Sequence, residues 1–147
     1  MSPACLRTLF HRDLRALRRE IEVTRDPDLW RVTADVPNSA GNLCLHICGN
    51  LNHFVGHVLG GQAYRRDRAK EFSAKGLPKE ELLGEVDRAI IAVDVAMRQL
   101  TGTTLEAPYP IPTPVDAEST CHFLLHLYGH LNYHLGQVNY LRRTLVP

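Results

Sequence analysis

No stretch of this 147-residue chain comes near the roughly 20 consecutive apolar residues of a membrane-spanning helix, so none is expected to cross a bilayer. A signal-peptide core is missing too. Arg7, His11, Arg12 and Asp13 break up the N-terminal segment, which makes the cytoplasm the expected compartment. Charge of one sign is absent: 17 basic residues face 16 acidic ones, for a net charge of +1. No bulk field therefore favours nucleic acid or a membrane surface. Arginines gather locally, as Arg15, Arg18 and Arg19, as Arg65, Arg66 and Arg68, and as Arg142 and Arg143. Each group lies beside acids or near a helix end and reads as a solvated face. Cysteines are few (Cys5, Cys44, Cys48, Cys121) and none form a Cys-x-x-Cys pair, so free thiols are expected rather than a disulfide framework. Strand-like alternation is also lacking. Against these absences, eight histidines stand out.

Apolar residues make up 44% and charged residues 22% of the chain, the balance of an ordinary globular protein. A single domain over residues 1–147 is expected. Three- and four-residue apolar spacing marks four long helices. The first covers about residues 3–24, with Leu6, Phe10, Leu14, Leu17 and Ile21 as its stripe, and Asp26-Pro27-Asp28 follows its end. The second covers about residues 38–64, with Asn38 or Ser39 as N-cap. The third begins at Pro78, with a stripe of Leu82, Val86, Ile90, Val93, Met97 and Leu100. Residues 101–115, with Gly102 and four prolines, read as an extended connection, and residues 118–145 as the fourth helix. Four amphipathic helices bury their stripes against one another, which predicts an all-α four-helix bundle. The polar span 65–77 and the connection 101–115 are long enough for crossovers.

On the fourth helix, Phe123, Leu127, His130, His134, Gln137 and Leu141 share one stripe at alternating four- and three-residue steps. His130, His134 and Gln137 thus stand where a bundle usually places Leu or Ile, and polar groups buried there need partners. The second helix repeats the pattern with Leu43, His46, Asn50, His53 and His57. One such histidine is most often a hydrogen-bonded core residue, but two facing polar stripes point to a shared site. Imidazoles four apart on a helix point the same way, so His130 and His134 can bind one divalent ion together. A third ligand from the facing helix leaves coordination positions open, as a catalytic ion requires. Spacing leaves His46, His53 and His57 all open as that third ligand. His122 and His126 drift off the stripe, and His126 suits the rim of the site. His11 reads as a surface residue. Cys44 and Cys48 project opposite His46 and read as packing residues. A set of histidines without thiolate admits zinc, nickel, iron, manganese or copper and does not choose among them, zinc or nickel being the leading expectation.

Three blocks carry a family resemblance: Tyr133-His134-Leu135-Gly136-Gln137-Val138-Asn139-Tyr140-Leu141-Arg142-Arg143 with His130 ahead of it, Leu45-His46-Ile47-Cys48-Gly49-Asn50-Leu51 with His53-Phe54, and Tyr64-Arg65-Arg66-Asp67-Arg68 leading to Glu71-Phe72 and Gly76-Leu77-Pro78. In these blocks the chain resembles the DinB-like superfamily of YfiT-like metal-dependent proteins. The resemblance implies an up-down-down-up bundle, a homodimer, and one divalent ion held by His46, His130 and His134. It is the resemblance, not the spacing, that selects His46 over His53 and His57. Asn50, His53, His57, His126 and Gln137 are left as pocket-lining residues or as partners of the ligands.

Some members of the resembled superfamily use low-molecular-weight thiols, among them bacillithiol transferases and a mycothiol-dependent isomerase. The leading expectation is accordingly a metal-dependent enzyme acting on a small molecule, such as a thiol S-transferase or a hydrolase. An open ion suits that chemistry because it lowers the pKa of a thiol or water. Gln137 would orient His134 or a ligand, and Asn50 and His53 would contact substrate or shuttle a proton. The alternative is a stress-response protein that binds metal or a small molecule without catalysis. A polar histidine core without metal is a third reading. The arginines at 65–68 could recognise a carboxylate or phosphate or cap the second helix, the cap being the favoured reading, and the connection 101–115 is expected to complete the pocket.

Overall fold

The computed structural model describes residues 1–145 and is all-α, with no strand among them. Helix α1 (Pro3–Val23) buries Leu6, Phe10, Leu14, Leu17 and Ile21 completely, the stripe its periodicity predicts. Ser2 caps its start, accepting from the Cys5 amide at 3.2 Å, and Pro3 occupies the first turn, where a missing N–H costs nothing. The short helix α2 (Asp26–Leu29) follows, and then α3 (Ala40–Leu51). Of the two expected caps for α3, Ser39 is the one used, accepting from the Asn42 amide at 3.1 Å.

The second expected helix is not uniform. Beyond Leu51 the backbone widens into a π-helix (Asn52–Leu59), in which Gly60 N–H reaches the Val55 carbonyl five residues back at 3.0 Å. Gly61, at a φ of 65°, then turns the chain away, so the helix ends short of Tyr64. Helix α4 (Arg68–Ser73) forms inside the span read as polar connection. Helix α5 (Lys79–Gln99) starts after Pro78 and buries Leu82, Val86, Ala89, Ala92, Val93, Ala96 and Met97, while Ile90 and Leu100 stay at the edge of the core. Residues 101–115 are not wholly extended, because Thr101 and Thr104 form a reciprocal cap that opens α6 (Gly102–Glu106). Helix α7 (Thr120–Leu145) is the last.

Helix α1 packs along α5 and α7, and α3 packs on the same two helices. The π-helix lies on α5, and α4 lies across α3. Their apolar faces meet in one hydrophobic core. Two polar staples fasten α1 to α7: Tyr128 donates to Asp13 at 2.6 Å, and Asn139 and Arg142 reach Glu20 at 2.8 and 2.5 Å. His11 is not a plain surface residue, since it lies half-buried 3.7 Å from Asp94 of α5.

Candidate metal centre

The buried face of α7 is Phe123, Leu124, Leu127, Leu131, Val138 and Leu141, one position round from the stripe read in the sequence. His130, His134 and Gln137 therefore flank the core, half-buried, instead of occupying its layers. That placement avoids the cost of three polar groups in apolar layers. Across the gap, α3 presents His46, which is 7% exposed.

The three imidazoles converge. Nε2 of His130 is 3.1 Å from Nε2 of His46 and 3.1 Å from Nε2 of His134. One nitrogen from each ring lies within 4.8 Å of the other two, and no further His, Cys, Asp or Glu joins the group among the described residues. The outward nitrogens of two rings are engaged. His46 Nδ1 lies 2.8 Å from Glu71 Oε2, and His134 Nδ1 lies 2.7 Å from Gln137 Oε1. Carboxylate and amide oxygens accept, so each Nδ1 carries a proton, the contact from Arg66 Nη2 to His46 Nδ1 being longer at 3.4 Å, and in the neutral rings each Nε2 then turns a bare lone pair inward. The proton of a His130 Nε2–H could point well at only one of them, and the other contact would oppose two lone pairs.

A divalent ion removes that conflict. With bond lengths of about 2.0–2.1 Å, neighbouring ligand nitrogens stand roughly 2.8–3.0 Å apart in an octahedral set and roughly 3.3–3.4 Å apart in a tetrahedral one, and both observed contacts fall between these limits. The residues present thus fit a metal, and three histidines can hold one. Electrostatics agree. Burial, together with the neighbouring His134 and His46, pushes His130 down to about 4. Burial also lowers His134, against the opposing hydrogen bond to Gln137. Both shifts favour the neutral ring, the form that binds metal.

Glu71 stands in the third block of the resemblance, but sequence reasoning gave it no role at the site. It lies on α4, 5% exposed, and Arg66 grips it with Nε to Oε1 at 2.6 Å and Nη2 to Oε2 at 2.9 Å. Burial alone would raise its carboxyl, but the bonds to His46 and Arg66 outweigh that and hold it below the ordinary range. The Arg-rich segment therefore does not cap the second helix. Its Arg66 neutralises a buried carboxylate behind His46. The available signal was Arg66-x-x-x-x-Glu71 inside a polar span, which carries no periodicity.

The other candidates scatter. Asn50 follows His46 one turn on and is buried, with no partner for its Oδ1 among the described residues. His53 is half-buried, lowered by burial and by Arg66, and stacks on His57 with centroids 5.9 Å apart. His57 is exposed and donates from Nδ1 to the Gln62 carbonyl at 2.7 Å, closing the π-helix. His126 is exposed and stacks on Phe123 at 5.9 Å. Tyr109, from the connection 101–115, packs on Phe123 at 4.6 Å and donates to the Phe54 carbonyl at 2.6 Å. All four cysteines are free, with Cys44 and Cys48 buried. No helix among the described residues is long and apolar enough to cross a membrane.

The sequence signature of the DinB superfamily matches residues 9–138, a span that contains His46, His130 and His134. No curated protein matches the chain.

Proposed function

The chain belongs to the DinB superfamily, and from that footing we propose that it is a metal-dependent protein acting on a small molecule, with His46, His130 and His134 holding one divalent ion, zinc or nickel. The observation that carries this reading is the pair of 3.1 Å Nε2 contacts between rings whose Nδ1 atoms are tied outward. Three protein ligands leave positions open for a substrate. When bound, such an ion supplies Lewis acidity that brings a thiol or water to a nucleophilic state near neutral pH. The chain's own groups do the rest. Gln137 holds His134 in one tautomer. Asn50 and His53, further along the second helix, are assigned to substrate contact and proton transfer. The reaction proposed is thiol S-transfer or a related attack on an electrophile. The same reading carries an up-down-down-up order of the four long helices and a homodimer.

Metal analysis of protein purified without a nickel column tests the site. We expect close to one ion per chain, lost in His130→Ala and in His134→Ala. Failure of the wild type to take up zinc or nickel, or equal occupancy in the variants, would sink the reading. Stripping the ion should lower the melting temperature on the order of 5–10 °C, given about 2.7 kcal/mol of stabilisation at a hundredfold excess over Kd. Conjugation of a thiol to an electrophile by the loaded protein, abolished in His46→Ala, would establish catalysis. Metal binding without it would mark a non-catalytic protein.

A further inference from the structure

The three imidazoles are backed unequally. His46 Nδ1 meets a carboxylate, His134 Nδ1 meets a neutral amide oxygen, and His130 Nδ1 has no hydrogen-bond partner among the described residues. A charged acceptor strengthens the bond and makes the opposite ring nitrogen a better donor, whereas a neutral acceptor does so less. The centre is therefore graded, with His46 at its strong end.

Four features hold Glu71 in that role. Arg66 binds it through two parallel contacts, which fix the plane of the carboxylate as well as its charge. Gly49 opens the space for it, since a Cβ there would stand 2.1 Å from Oε1 and 2.8 Å from Cδ. Asn42 anchors α4 by donating from Nδ2 to the Glu71 and Ala74 carbonyls at 3.1 and 2.9 Å. Phe72, the next residue on α4, lies against the His46 ring with centroids 4.8 Å apart.

We propose that Glu71, clamped by Arg66 and seated against Gly49, is the positioning residue of the centre: it fixes His46 with Nε2 facing inward and makes it the anchor among the three histidines. The donor-strength part rests on the metal reading above, while the tautomer part does not. A salt bridge serving stability alone would leave the His46 tautomer and the ranking of the ligands untouched.

The experiment follows both parts in the full chain. Nitrogen-15 NMR of metal-free protein should show His46 protonated at Nδ1, and Glu71→Ala should remove that bias. Zinc affinity, measured by chelator competition, should fall by about 10-fold in Glu71→Gln and approach 100-fold in Glu71→Ala. Gln137→Leu should cost less than Glu71→Gln. The proposal is overturned by an unchanged His46 tautomer in Glu71→Ala, by wild-type zinc affinity in Glu71→Gln, or by a larger loss in Gln137→Leu. If Glu71→Ala fails to fold, the near-isosteric Glu71→Gln still decides between the outcomes through affinity. Should the wild type bind no zinc while the tautomer responds as expected, the metal reading fails and the positioning of His46 by Glu71 stands.

Discussion

His130 and His134 sit four apart on α7, and the spacing alone puts their rings on one face. Their 3.1 Å Nε2 contact is the geometry that follows. Their depth is harder to read. The heptad count centres them in the core, whereas Leu131 and Val138 take that place and leave the histidines on its flank. A shift of one residue, about 100° on a helix, is beyond what a stripe of mixed residues resolves. Glu71 is out of reach for another reason, because it approaches His46 from a separate six-residue helix 25 positions along the chain. Close packing at single residues gives a further prediction. A Cβ on Gly56 would meet the Ala92 Cβ at 2.8 Å. Gly56→Ala should therefore push the π-helix off α5 and destabilise by about 1–3 kcal/mol, read by urea denaturation. An unchanged midpoint would show that this contact relaxes freely.

At the level of elements, the four long helices are legible because each repeats an apolar stripe over many turns, α1 most plainly. The π-helix is not. Over eight residues, bonds to the fifth rather than the fourth preceding carbonyl leave no mark in the apolar spacing. Each π residue advances by roughly 80–85° instead of 100°, so five of them swing His57 about 75–100° from where α-helical counting puts it. The exposure of His57 fits that rotation. Short helices α4 and α6 fall in spans rich in polar residues or proline, where local caps outweigh periodicity. Placement of α4 depends on Ser39 and Asn42. The Ser39 hydroxyl donates to Asn42 Oδ1 at 2.7 Å, which aims the Asn42 amide at the end of α4. Ser39→Ala should cost about 1 kcal/mol of stability as a lost cap. Asn42→Ala should raise amide exchange in residues 68–74 well above that in α1, and equal protection in both would contradict this role.

Across the whole molecule, the polar staples between α1 and α7 contribute to the response to acid, alongside Glu71. Burial would raise the carboxyls of Asp13 and Glu20, but bonds from Arg12 and Tyr128, and from Arg142 and Asn139, outweigh it and lower both. Unfolded carboxylates titrate near pH 4, so this contribution is complete above about pH 4 and is lost as pH falls through the lowered folded values. Thermal melts should show stability dropping on acidification below about pH 4, and Glu20→Gln should both reduce stability at pH 7 and flatten that drop. An unaltered acid profile in Glu20→Gln would assign the drop to other groups. The central claim is one ion per chain between three helix-borne histidines. Anomalous diffraction at the zinc edge, from crystals of the zinc-loaded chain, tests it most directly. The account predicts a single strong peak at about 2.0–2.1 Å from the Nε2 atoms of His46, His130 and His134; no peak there, or a peak elsewhere with those three rings empty, would contradict it.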